Sequence, residues 1–220
     1  CYTKNKIIQF SCIEWMEKRL KDMGIDKHDL VAQNDKVILR NLIPEDKEDY
    51  FKLYQDTSII KKKMKPEAFR QFFEREWERE ILSKDRLNIS ILSADSKQYV
   101  GNILLRDLAS DMPEIGIDIV QEFRRKGFAY SAVQIFLKSV RNLFVSDKFL
   151  VRIYSDNEAS LKLFQKLGAF EIGREPSEYQ VFLNELKEKL GDEYQQIKEM
   201  NPKMEEIASK RYIKRFCLRF

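Results

Sequence analysis

Three short apolar segments follow one another in the middle of the chain: "LNISIL" (87–92), "YVGNILL" (99–105) and "EIGIDIV" (114–120). Each reads as a β-strand, and the links between them are too short for a crossover helix. The break at Ala94-Asp95-Ser96-Lys97 is turn chemistry, so neighbouring strands are expected to pair antiparallel. In the third segment Ile115, Ile117 and Ile119 share one face, and Glu114, Gly116 and Asp118 share the other. The glycine leaves that second face roomy.

Helical patterns flank this meander. "KVILR" (36–40) reads as a strand; Pro44 then suits a first helical turn, followed by Glu45, Asp46 and the stripe Tyr50, Leu53 and Tyr54. A second helix is expected from Pro66 through Phe69, Phe72, Phe73 and Trp77 to Leu82, its aromatics serving the core. Beyond the meander come a helix with Val133, Phe136, Leu137 and Val140, the strand "KFLVRIY" (148–154), and a helix from Asn157 to Leu167 closed by Gly168. After "AFEIG" a charged helical insertion is expected over about 179–209, broken at Pro202, and then a last strand, "YIKRFCLRF". The sum is a mixed α/β (α+β) protein with a mainly antiparallel sheet.

Composition sets the outer limits. A chain of 220 residues, 43% apolar, buries one substantial core and shows no compositional break, so one domain (36–220) is expected behind an N-terminal extension (1–35). Ile13, Met16, Leu20 and Met23, ended by Gly24, make that extension helical. No apolar run is long enough for a bilayer and the start lacks a leader pattern, which predicts a cytoplasmic protein without a membrane partner. Cys1, Cys12 and Cys217 have no disulfide or zinc spacing, and the single histidine, His28, argues against histidine triads and multi-histidine metal sites. The 40 basic and 36 acidic residues are interspersed, so no nucleic-acid partner is expected; Lys61-Lys62-Lys63, with Lys65, reads as a solvated loop.

The stretch "QEFRRKGFAYSA" (121–132) sits between a strand and a helix. Amides at a helix start lack intrahelical partners and lie at the positive end of the helix dipole, which makes such a turn suited to an anion, a diphosphate above all. Gly127 removes an obstructing side chain, Ala129 keeps the next turn small, and Arg124, Arg125 and Lys126 add positive charge. On these residues alone, plain backbone geometry is the commoner use of such a glycine.

"EIGIDIVQEFRRKGFA" resembles the acetyl-CoA-binding stretch of the GNAT acetyltransferase superfamily, whose Gln/Arg-x-x-Gly-x-Gly/Ala motif is matched by Arg124, Gly127 and Ala129. "NEASLKLFQKLGAF" (157–170) is similar to the superfamily's next helix, and "LRNLIPED" to the first strand of the ribosomal-protein N-terminal-alanine acetyltransferase type. The resemblance covers about 36–173. It implies that the strand ending near Val120 splays from the one ending near Tyr154, with the pantetheine arm of the cofactor in the gap. Backbone at Ile117 and Ile119 would pair with the pantetheine amides, main-chain N–H groups from Arg124 through Arg125, Lys126, Gly127 and Phe128 to Ala129 would hold the diphosphate, and Asn157 and Phe164 would also contact the cofactor.

The implied reaction is acetyl transfer from acetyl-CoA to a primary amine. Glu114 is the candidate base. Phe164 stands where many superfamily members carry the tyrosine that protonates the leaving thiolate, which leaves Ser160 and Tyr154, or water, as substitutes. With pKa values near 7.8 for an α-amine and 10.4 for lysine, about a tenth of the former but about four parts in ten thousand of the latter are neutral at pH 7. A protein N-terminal α-amine is thereby favoured. A small-molecule amine of the aminoglycoside or polyamine kind, and a CoA-binding module with little catalysis, stay open, as does a homodimer; the insertion is expected to border the acceptor site or a subunit contact.

Overall fold

The computed structural model describes residues 32–57, 64–82, 85–108, 110–140 and 147–219. Most of the expected N-terminal extension, with Cys1, Cys12 and His28, and the run Lys61–Lys63 lie outside these residues. The chain divides into two compact units, one up to Phe149 and one from Leu150 to Arg219.

In the first unit, β1 (Ala32–Gln33), β2 (Val37–Asn41), β3 (Arg86–Ser93), β4 (Tyr99–Arg106) and β5 (Glu114–Ile119) lie in chain order, each antiparallel to the next. The expected meander is therefore present. The register sets Leu39 beside Ile91, Ile89 beside Ile103 and Leu105 beside Ile115 on one apolar face, and all of these are buried. A single 3-10 turn, Pro44–Asp46, leads into α1 (Lys47–Asp56), and α2 (Pro66–Leu82) follows. Tyr50, Phe73, Trp77 and Leu42 form a buried cluster, so the aromatics do serve the core. Against β2 and β5, α3 (Phe128–Val140) buries Val133, Phe136 and Val140.

One expectation is corrected at the boundary of the extension. Residues 32–35 are a hairpin arm and not helix: Ala32 and Gln33 pair with Leu39 and Ile38. The cause is Asn34, whose Oδ1 accepts the amides of Lys36 and Val37, each at 2.9 Å, and whose own N–H reaches the Val37 carbonyl at 3.0 Å. An asparagine that mimics a backbone turn in this way closes the two strands.

Gly101 of β4 faces Ile119 of β5, and a Cβ there would stand 2.1 Å from the Asp118 carbonyl oxygen. Two backbones approach so closely that no side chain fits between them.

In the second unit the sheet order is β6 (Lys148–Tyr154), β8 (Tyr212–Arg219), β7 (Phe170–Pro176), with β7 and β8 antiparallel. Asn157 caps α4 (Glu158–Lys166) and Gly168, at φ +89°, ends it, as the sequence predicts. The insertion resolves into α5 (Glu178–Leu190), α6 (Glu193–Met200) and α7 (Met204–Lys210), with Pro202 in the last turn between them. The fold is thus mixed α/β, its strands mostly antiparallel and flanked by helices. No helix among the described residues is long and apolar enough to cross a membrane.

Candidate active site

At the end of β5, the Val120 N–H still bonds the Val100 carbonyl at 2.9 Å, and a 3-10 turn over Gln121–Phe123 follows. Arg124 is extended, Arg125 takes a left-handed φ of +60°, Gly127 takes φ +83°, and α3 begins at Phe128. The Ser131 N–H makes the helical bond back to the Gly127 carbonyl at 3.1 Å. The amides of Phe128 and Ala129 belong to the first turn, where a helix offers no internal acceptor and the dipole is positive. Two left-handed residues in one short loop are costly outside glycine, and Arg125 bears that cost here.

Strand alternation orients the neighbouring backbone. Since Val120 bonds toward β4, Ile117 and Ile119 direct their N–H and C=O groups to the other side of β5. The resemblance expects that orientation. Arg124 is committed in part to this edge, its Nε donating to the Ile119 carbonyl at 2.8 Å, and Lys126 Nζ sits 5.7 Å from the Phe123 ring centroid. A further cation comes from elsewhere: a Cβ on Gly127 would stand 3.5 Å from Lys36 Nζ. Motif reading missed Lys36, because the hairpin that delivers it is a long-range feature.

On the other face of β5, Glu114 stands opposite Arg106, with 3.7 Å between Oε1 and Nη1 and only 15% of the Glu114 side chain exposed. A Cβ on Gly116 would have no atom nearer than the Leu104 carbonyl oxygen at 4.0 Å, so this face is open there, as expected. The register continues the polar row from Asp118 to Asn102, Ser90 and Arg40 across four strands. Asn102 and Ser90 are buried. At the far end Asp46 accepts from both terminal nitrogens of Arg40 (2.6 and 2.7 Å), from Ser90 Oγ (2.6 Å) and from the Ile43 N–H (3.2 Å). Burial pushes the Asp46 carboxyl up, but these hydrogen bonds together hold it below the usual carboxylate range.

The second unit holds the remaining sequence candidates. Asn157 Oδ1 accepts the Ser160 N–H at 3.2 Å, so both residues take part in the α4 cap. The Phe164 side chain is 2% exposed and brings no hydroxyl to its position. Tyr154 Oη donates to Glu178 at the start of α5, while the Arg211 guanidinium lies 3.8 Å from the Tyr154 ring centroid and donates to Asp156. Arg152 joins Glu175 and reaches Glu178 at 4.0 Å. Burial first, then the Glu178 contact, pushes the Tyr154 phenol up to about 12. A hydroxyl has one proton, and here it is directed at a carboxylate.

A family model described as an acetyltransferase (GNAT) domain matches residues 36–169, more than half of the 220. No curated protein matches the sequence significantly. Among solved structures, a spermidine N-acetyltransferase from Vibrio cholerae, in complex with CoA and spermine, is similar with a TM-score of 0.59 and 18% identity, over 84% of this chain and 96% of that one. A domain from Methanocaldococcus jannaschii is similar with a TM-score of 0.56 and 20% identity, over 83% and 98%. A proposed ribosomal-protein-serine acetyltransferase from Vibrio cholerae follows at 0.54 and 14%, over 69% and 89%. At such identities the likeness is one of fold, and it is the family match that decides: the chain belongs to the GNAT acetyltransferase family, enzymes whose acetyl donor is acetyl-CoA.

Proposed function

We propose that this acetyltransferase binds the diphosphate of acetyl-CoA on the loop from Arg124 to Ala129 and transfers the acetyl group to a primary amine, an N-terminal α-amine of a protein fitting best. The loop conformation carries the reading: left-handed Arg125 and Gly127 lead straight into a helix start, and no side chain at Gly127 stands in the way of close approach. The residues present therefore fit the cofactor. Bound there, it supplies an activated thioester, and the chain's own groups supply orientation and proton transfer.

Glu114 takes the proton from the attacking amine in this reading, since it lies on the open face of β5 beside Gly116. Glu114→Gln is expected to lower kcat by about a hundredfold, the lower range of general-base effects, with acetyl-CoA affinity unchanged. Steady-state kinetics across pH 6 to 9 measure this, and unaltered turnover with the best acceptor would remove Glu114 from the chemistry.

The leaving thiolate makes smaller demands. A thiol with an ordinary pKa of about 8.5 departs without a strong acid, and a phenol pushed up to about 12 by burial and by Glu178 is poorly matched to protonate it. Tyr154→Phe is therefore expected to keep kcat within about threefold. A loss beyond about thirtyfold, with the fold intact, would make Tyr154 the acid after all.

The α-amine is favoured as acceptor because about a tenth of it is already neutral at pH 7. A screen of peptides with different N-terminal residues, alongside spermidine and an aminoglycoside, tests the assignment. Turnover of spermidine alone would transfer to this chain the substrate named for its Vibrio cholerae neighbour.

A further inference from the structure

Two of the three cations of the Arg124–Gly127 loop are partly engaged within the protein, Arg124 Nε by the Ile119 carbonyl and Lys126 by the Phe123 ring. Lys36 is placed differently. It lies in the turn of the β1–β2 hairpin, just before β2, and that hairpin is fixed twice: the Asn34 side chain closes its turn, and Asn34 Nδ2 donates to Ser131 Oγ, in the first turn of α3, at 2.8 Å. The hairpin and the helix start are thus joined by a direct hydrogen bond. Lys36 Nζ lies 5.2 Å from the Phe128 ring centroid and 3.5 Å from where a Gly127 Cβ would stand. An ammonium resting on an aromatic face keeps N–H donors for a second partner.

We infer that Lys36, outside the glycine motif, pairs with the diphosphate of acetyl-CoA and adds to the motif's own cations a charge delivered from the β1–β2 hairpin. The inference rests on the reading of the Arg124–Ala129 loop as the diphosphate site. The 3.5 Å between Lys36 Nζ and the position of a Cβ on Gly127, within that loop, points Lys36 to the diphosphate rather than to the cofactor's 3′-phosphate. Its role is binding, so activity need not be read.

The test is calorimetric titration of CoA, dephospho-CoA and pantetheine into the unaltered protein, Lys36→Ala and Lys36→Arg, with thermal melts as the check on folding. Lys36→Ala is expected to bind CoA and dephospho-CoA about tenfold more weakly, the lower end for one charge-assisted contact at an exposed site, while pantetheine binds as before. Lys36→Arg should retain most of the affinity, and Lys36→Ala should show a shallower dependence on salt. Equal CoA affinities for the unaltered protein and Lys36→Ala would overturn the inference. A loss confined to CoA would overturn it too, by moving Lys36 to the 3′-phosphate. If the unaltered protein binds CoA no better than pantetheine, the diphosphate reading itself fails, an outcome distinct from the other two.

Discussion

Gly127→Val is expected to bind acetyl-CoA at least about a hundredfold more weakly than the unaltered protein, the cost of two charge-assisted contacts at roughly 1.5–3 kcal/mol each. The cause lies in the backbone. Gly127 holds φ +83°, a region that β-branched residues resist, so valine forces the loop to another conformation and re-aims the amides of Phe128 and Ala129. Crowding contributes less, since a Cβ there meets only the tip of Lys36 in ordinary contact. Gly127→Asn separates the two effects, because asparagine tolerates left-handed backbone and should keep most of the affinity. Calorimetry on folded samples decides; equal affinities for valine and glycine would remove the diphosphate from this loop.

Asp46→Ala should cost about 3 kcal/mol of stability and lower Tm by about 6–12 °C. The substitution leaves Arg40, Ser90 Oγ and the Ile43 N–H without their shared acceptor, at a position where the Asp46 side chain is 7% exposed. Arg40 keeps a quarter of its side chain in water, which places the cost at the lower end for a broken buried pair. The pH dependence has a definite sign. The carboxyl is lowered in the folded state, so its contribution is complete above the unfolded aspartate pKa of about 3.9 and is lost as pH falls through the folded value. Calorimetric melts of both proteins should therefore differ fully at pH 7 and converge in acid. A constant difference down to pH 2 would show that packing, not charge, sets the cost.

What the sequence made legible was local. Short apolar runs at 87–92, 99–105 and 114–120 with turn residues between them are enough to place three strands, because run length and short links both act within a few residues. The same holds for the cap at Asn157 and the left-handed glycine at 168. The turn into the helix at Phe128 is readable for the same reason, since Arg124, Gly127 and Ala129 fall within one short motif. Contacts between distant segments were not readable. Asp46 meets Ser90 across 44 positions, Tyr154 meets Glu178 across 24, and Asn34 reaches Ser131 across 97. Each depends on strand register or helix docking, which no local pattern encodes. Ala32–Gln33 carries no strand signal of its own, because two residues are too few to display alternation.

The contact at Gly101 bears on portability. The loop from Gln121 onward looks like a cassette that could be transplanted into another sheet, yet its starting point is set by the β4 backbone lying against Asp118 and Ile119, where even a methyl group would collide with a carbonyl oxygen. A host with alanine at that position would push the donor strand outward before the loop begins. The smallest piece of this protein that would carry the loop in its own geometry is therefore a pair of strands with their glycine, and not the motif alone.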